Sequence, residues 1–140
     1  FLYDPRRKVA GVVHAGWQGT VKKVAGAAVR KMQEVYGSSP QDILAGIGPS
    51  ISADHYEVKE DVIGQVGAVF EADAARVLVS HNGKTSFDLK LANRLVLEES
   101  GVRQIEISDI CTACHTEDWF SHRGDGGKTG RFGALLAMDG

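Results

Sequence analysis

Cysteine is scarce in this sequence: Cys111 and Cys114 are the only two among 140 residues. Two thiols three residues apart do not make a disulfide framework, and a reduced, cytoplasmic setting is the simpler expectation for them. Long apolar runs are lacking too. None approaches the roughly 18 residues that a membrane-spanning helix needs, and no basic stretch leads into an apolar one as in a secretion signal. Nor is there an excess of charge of one sign. Lys and Arg total 16 against 18 for Asp and Glu, a net charge of −2, which offers no electrostatic footprint for nucleic acid or an anionic membrane. The G-x-S-x-G elbow of serine hydrolases and the H-E-x-x-H pair of zinc peptidases are both missing.

What is present is a 43% hydrophobic chain with 17 glycines, enough apolar content for a core and a length that suits one domain over residues 1–140. Phe1-Leu2-Tyr3 reads as the middle or end of a strand, and Asp4-Pro5-Arg6-Arg7 as a turn. A strand at the very start, on Phe and not Met, leads us to expect further sequence upstream. Lys8 to His14 is a β-branched run expected as a buried strand. Thr20 is expected to cap a helix whose apolar face carries Val21, Val24, Ala25, Ala28, Val29, Met32 and Val35, with Gly37 at its end. Ile43 to Ile47 reads as a second strand, Glu60 to Phe70 as a helix, Val77 to Ser80 as a strand, and His81-Asn82-Gly83-Lys84 as a turn. A helix follows Asp88 and closes at Gly101. Gln104 to Ser108 is a strand, 111–130 a long polar loop, and Arg131 to Met138 a final strand. This order predicts a mixed α/β fold.

Several residues carry possible chemistry. His14 ends an apolar strand beside Ala15-Gly16, where small neighbours leave the imidazole uncovered; it reads either as a metal ligand or as a core histidine bonded to backbone. Trp17 can wall a pocket or simply pack after the strand. Gly46-Ile47-Gly48-Pro49-Ser50 ends a strand tightly but lacks the third glycine of a dinucleotide fingerprint, and Pro49 removes a donor. Cys111-x-x-Cys114-His115 supplies too few ligands for zinc, and Cys114 and His115 are awkward to aim at one ion as neighbours; partly buried thiols at a strand end are the favoured reading. Gly127-Lys128-Thr129 is no nucleotide triphosphate loop, because His122 stands where its first glycine is required. Ser121, Arg123, Lys128 and Arg131 can nevertheless hold a phosphate by charge-assisted bonds, unless the loop is only a solvated surface. Asp88 and Asp118 are possible acids or bases without an evident partner, and Asp88 serves equally as a helix cap.

Taken together, four stretches resemble one family. They are Val13-His14-Ala15-Gly16-Trp17 with Gly19, Gly46-Ile47-Gly48-Pro49-Ser50-Ile51 followed by Tyr56-Glu57-Val58, Phe87-Asp88-Leu89 with Ala92-Asn93 and Leu97, and Cys111-Thr112 followed by Phe120-Ser121, Arg123, Asp125 and Thr129-Gly130-Arg131. The order and near-complete coverage are similar to the YfiH/YlmD-type proteins, long labelled laccase-domain or polyphenol oxidase proteins and now described as purine nucleoside phosphorylases with adenosine deaminase activity.

The resemblance implies a four-layer α/β/β/α sandwich, of which this chain is the C-terminal portion. It implies a zinc site of one Cys and two His. His14 is the one ligand in this chain, and the other two are expected upstream of Phe1. It implies purine nucleosides, methylthioadenosine among them, and phosphate as substrates, with Trp17 or Phe120 covering the base and Ser121, Arg123 and Arg131 near the phosphate. An oligomer is compatible with it. Gln18, His55 and Gly124 depart from the family's usual residues. Three other readings stay open: a copper-dependent phenol oxidase, a cysteine hydrolase using an upstream Cys with His14 as base, and a non-catalytic fragment.

Overall fold

A computed structural model describes residues 1–139. It is a mixed α/β structure with two sheets, as expected, divided between two compact units.

The first unit comprises residues 1–48, 93–108 and those from Gly133 on. Its sheet has the order β2-β1-β3-β7, built from β1 (Leu2–Asp4), β2 (Val9–Gly11), β3 (Leu44–Ile47) and β7 (Gln104–Ile107). β1 runs antiparallel to both β2 and β3, while β3 and β7 are parallel. The β1–β2 turn is organised by Asp4, whose buried carboxylate accepts the Arg6 and Arg7 N–H groups at 2.8 and 3.0 Å. The strand expected from Lys8 to His14 is shorter than that. Its ladder with β1 stops at the Leu2–Gly11 pair, and Val12 and Val13, without ladder partners, leave the sheet as irregular chain.

Two helices follow, where one was expected. α1 (Trp17–Val21) and α2 (Val24–Tyr36) are separated by Lys23, which is left-handed at φ 52°. Thr20 is therefore not the cap of the long helix; it lies buried inside α1, donating to the Gly16 carbonyl one turn back. α2 buries Ala25, Val29 and Met32, the stripe expected at three- and four-residue spacing, but Val35 faces solvent. Gly37 ends the helix at φ 67° and, with Ser38 bonding back to Met32, closes it as the sequence predicts. Gly26 allows close packing onto the end of α5 (Leu89–Glu99): a Cβ there would stand 2.7 Å from Ser100 Oγ.

The second unit comprises residues 49–92 and 109–132. Its antiparallel sheet, β4-β6-β5, contains β4 (Glu57–Val58), β5 (Leu78–His81) and β6 (Lys84–Phe87). Asn82 and Gly83 both have positive φ in the two-residue β5–β6 turn, the geometry that Asn-Gly favours. α3 (Glu60–Phe70) has the expected bounds and buries Val62, Val66 and Phe70; the short α4 (Ala74–Val77) follows. Asp88 accepts the Leu91 N–H and so caps α5, the alternative to a catalytic role. The strand expected over Arg131–Met138 does not form. No ladder pairs with it among the described residues, and Leu135 is 88% exposed. Among the described residues, no helix is long and apolar enough to cross a membrane.

Candidate functional site

In the first unit, the chain passes close to His14 at two glycines, Gly16 before α1 and Gly19 within it. A Cβ on Gly16 would stand 3.3 Å from His14 Nε2, and one on Gly19 would stand 3.3 Å from the His14 carbonyl and 3.1 Å from a Val24 methyl. These small residues let the chain wrap closely around His14 while its imidazole stays exposed. The wrap is fastened by Thr20. Its hydroxyl donates toward the Gly16 and Ala15 carbonyls (3.0 and 3.2 Å) and accepts the Asn93 amide at 2.8 Å. Trp17 opens α1 and is half-buried.

As a metal donor, His14 stands alone in this unit. Among the described residues a single group of three or more His, Cys, Asp or Glu side chains converges, and His14 is not in it. One imidazole does not make a zinc site.

In the second unit, Phe120, Ser121, Arg123 and Arg131 all lie on the loop expected over 111–130 and its exit. The loop is irregular but internally bonded. Asp125 accepts the Ser121 N–H at 3.0 Å and the Thr129 hydroxyl, and Ser121 Oγ accepts the Gly124 N–H at 3.1 Å. The Thr129 hydroxyl, seconded by the Ser121 N–H, holds the Asp125 carboxyl below the usual carboxylate range. Ser121 is buried in this turn. Phe120, 52% exposed, lies against Gly130 and lines an open hollow of about 420 Å³ together with Asp125, Lys128 and Thr129.

The two arginines lie outside that lining. Arg123 donates Nη1 to the Glu57 carbonyl at 2.8 Å and stands 5.4 Å from the Tyr56 ring centre. Burial pushes the Tyr56 hydroxyl up, and the Arg123 charge works against that. Arg131 is exposed and donates to the Gly130 carbonyl.

The converging group is His55, Cys111 and Cys114, whose ligand atoms all lie within 4.8 Å of one another. Burial pushes the Cys111 thiol up, but hydrogen bonds from Ser52 and Cys114 outweigh it and bring the thiol down to about 6. Cys114 is pushed up, first by its hydrogen bond to Cys111. The sequence reading set the cysteine pair aside for want of ligands. His55 drew notice only as a departure from the family pattern, and nothing in its local sequence links it to a cysteine 56 residues away.

The fold and these side chains define a mixed α/β protein with clustered metal-donor side chains and a glycine-rich loop. The chain belongs to the multi-copper polyphenol oxidoreductase laccase family, whose pattern matches residues 1–139. It is 43% identical to the purine nucleoside phosphorylase YlmD of Bacillus subtilis, over 99% of this chain and 50% of that protein. It is 37% identical to the adenosine deaminase RL5 of an unknown prokaryotic organism, over 93% of this chain and 50% of RL5. The crystal structure of the Bacillus licheniformis protein YfiH superposes with a TM-score of 0.86 at 38% identity, covering 92% of this chain and 49% of that one. The resemblance read from the motifs is thus what the comparisons find. The chain spans about half the length of the curated relatives it matches.

Proposed function

We propose that the protein containing this chain is a zinc-dependent purine nucleoside phosphorylase that also deaminates adenosine and cleaves methylthioadenosine. In this reading the chain is the C-terminal portion of one larger four-layer α/β/β/α domain, acting in the cytoplasm. The observation that carries it is the 43% identity to a purine nucleoside phosphorylase across 99% of the chain. The adenosine deaminase relative supports the second activity.

Phosphorolysis breaks the bond between the purine nitrogen and the sugar's anomeric carbon and forms a bond from that carbon to a phosphate oxygen. The purine leaves with a proton. The protein's share is to hold phosphate and nucleoside in line. Arg123 suits the phosphate: one N–H is committed to Glu57 and the ring of Tyr56 braces the guanidinium, so its remaining donors are pre-oriented. Arg131 and Ser121 complete the proposed phosphate contacts, and Trp17 or Phe120 covers the base. His14 is the one zinc donor this chain contributes, with a Cys and a His expected from upstream. Bound zinc with three protein donors keeps a position open for water or substrate.

The test is base release by the full-length protein from inosine, adenosine and methylthioadenosine, with and without phosphate, alongside intact mass and zinc and copper content. Phosphate-dependent release of base and sugar 1-phosphate, with zinc present, is the expected result. The family's description favours one second reading, copper-dependent phenol oxidation. Copper in place of zinc, with phenol oxidation and no phosphorolysis, would establish that reading instead.

A further inference from the structure

We propose that His55, Cys111 and Cys114 form a second metal site, separate from the one to which His14 contributes, and that it takes a thiophilic divalent ion of the zinc class. The three residues lie in the second unit. The proposal does not depend on the phosphorylase reading.

Backbone pairing brings the two ligand segments together before any side chain is considered. Ser50 and Cys111 form a parallel bridge, and the Thr112 N–H donates to the Ser50 carbonyl at 3.2 Å. The Cys114 N–H donates to the Cys111 carbonyl at 3.1 Å, a tight turn that puts both sulfurs on one side. The Ser52 N–H donates to Cys111 Sγ at 3.3 Å, a bond of the kind that orients a thiolate toward a metal. A single helical turn at Ala53–His55 then presents the imidazole.

The three donor atoms lie within 4.8 Å of one another, close enough to share one ion once the His55 ring turns to aim a nitrogen at it, because Cys114 Sγ, nearly equidistant from both ring nitrogens, stands off the ring face. Cys111 Sγ is 3.8 Å from His55 Nδ1, and Cys114 Sγ is 3.6 Å from the same nitrogen and 3.9 Å from Nε2. One imidazole nitrogen has one in-plane lone pair or one N–H, so it serves one sulfur and not two. Around a tetrahedral zinc, sulfur at about 2.3 Å and nitrogen at about 2.0–2.1 Å stand about 3.6 Å apart. Two thiolates neutralise a divalent ion, and sulfur donors select zinc-like metals over magnesium or calcium. His115 takes no part. It turns toward Glu117 at 3.4 Å, which removes the difficulty of aiming neighbouring residues at one ion. Cys114 and His55 are exposed, so the fourth position opens to water.

The experiment uses the full-length protein carrying His14→Ala, stripped of metal under reducing conditions and titrated with cobalt(II) and then zinc(II). The expected result is a thiolate-to-cobalt charge-transfer band that saturates near one equivalent and is displaced by zinc. Adding Cys114→Ser, or separately His55→Ala, should weaken cobalt binding by about tenfold or more. Both replaced side chains are exposed, and circular dichroism verifies that each variant folds. The same titration in His14→Ala with and without the two further changes overturns the proposal. So does recovery of Cys111 and Cys114 as a disulfide from anaerobically purified protein.

Discussion

Thr20→Val tests how the His14 loop is held. The exchange keeps the volume of a fully buried side chain and deletes only its hydroxyl. Two interactions go with it: donation to the Gly16 and Ala15 carbonyls, and acceptance from the Asn93 amide 73 residues away. At about 1 kcal/mol net for each bond, and more where a buried amide loses its acceptor, the loss is about 2 kcal/mol. Equilibrium urea unfolding of the full-length protein should show this as a lower midpoint with little change in slope. The loss should also be local. Because Thr20 fastens the wrap around His14, amide hydrogen exchange at the Thr20 N–H, bonded to the Gly16 carbonyl, should accelerate by about 30-fold for 2 kcal/mol. Thr20→Ser retains both hydrogen bonds and loses one methyl, at about 1 kcal/mol. If Ser proves more damaging than Val, packing and not hydrogen bonding holds the loop, and the reasoning fails.

Other perturbations follow from the same structure. Gly26→Ala gains about 1 kcal/mol of helix propensity but drives a methyl to 2.7 Å from Ser100 Oγ, an overpacking that costs about 1–3 kcal/mol. A net destabilisation is expected, and it should shrink when the same change is made in a Ser100→Ala background; equal effects in both would remove the clash as the cause. Burial pushes the Asp4 carboxyl up, but the nearby Ser38 hydroxyl and the Arg7 and Arg6 N–H groups outweigh it and hold it below the usual range. Its stabilising contribution is therefore complete above the unfolded carboxylate value and is lost as pH falls through the lower native one. Asp4→Asn should lower stability at neutral pH and flatten the acid limb of a stability-versus-pH curve, whereas parallel curves would contradict the assignment. Arg123→Ala should raise the KM for phosphate by about tenfold or more, the worth of a charge-assisted hydrogen bond. An unchanged KM takes Arg123 out of that role.

Local chemistry determined what the sequence by itself reveals. α3 appears with the expected bounds because Val62, Val66 and Phe70 recur at helical spacing. Gly37, Asp88 and Asn82-Gly83 end, cap and turn the chain where their own conformational preferences place them. The motif set from Val13 to Arg131 pointed to the family that matches residues 1–139.

Tertiary structure decided the rest, because partners distant in sequence leave no local signature. β6 is polar at Lys84, Thr85 and Ser86 and forms because β4 and β5 pair with it on either side. Residues 131–138 have strand-like composition and gain no ladder. Thr20, read as a helix cap, is a buried hydroxyl because the Asn93 amide meets it from 73 residues away. The convergence of His55 with Cys111 and Cys114 was likewise invisible. Nothing near Cys111 and Cys114 in the sequence points to His55; the pairing of Ser50 with Cys111 brings the segment that carries the imidazole beside them.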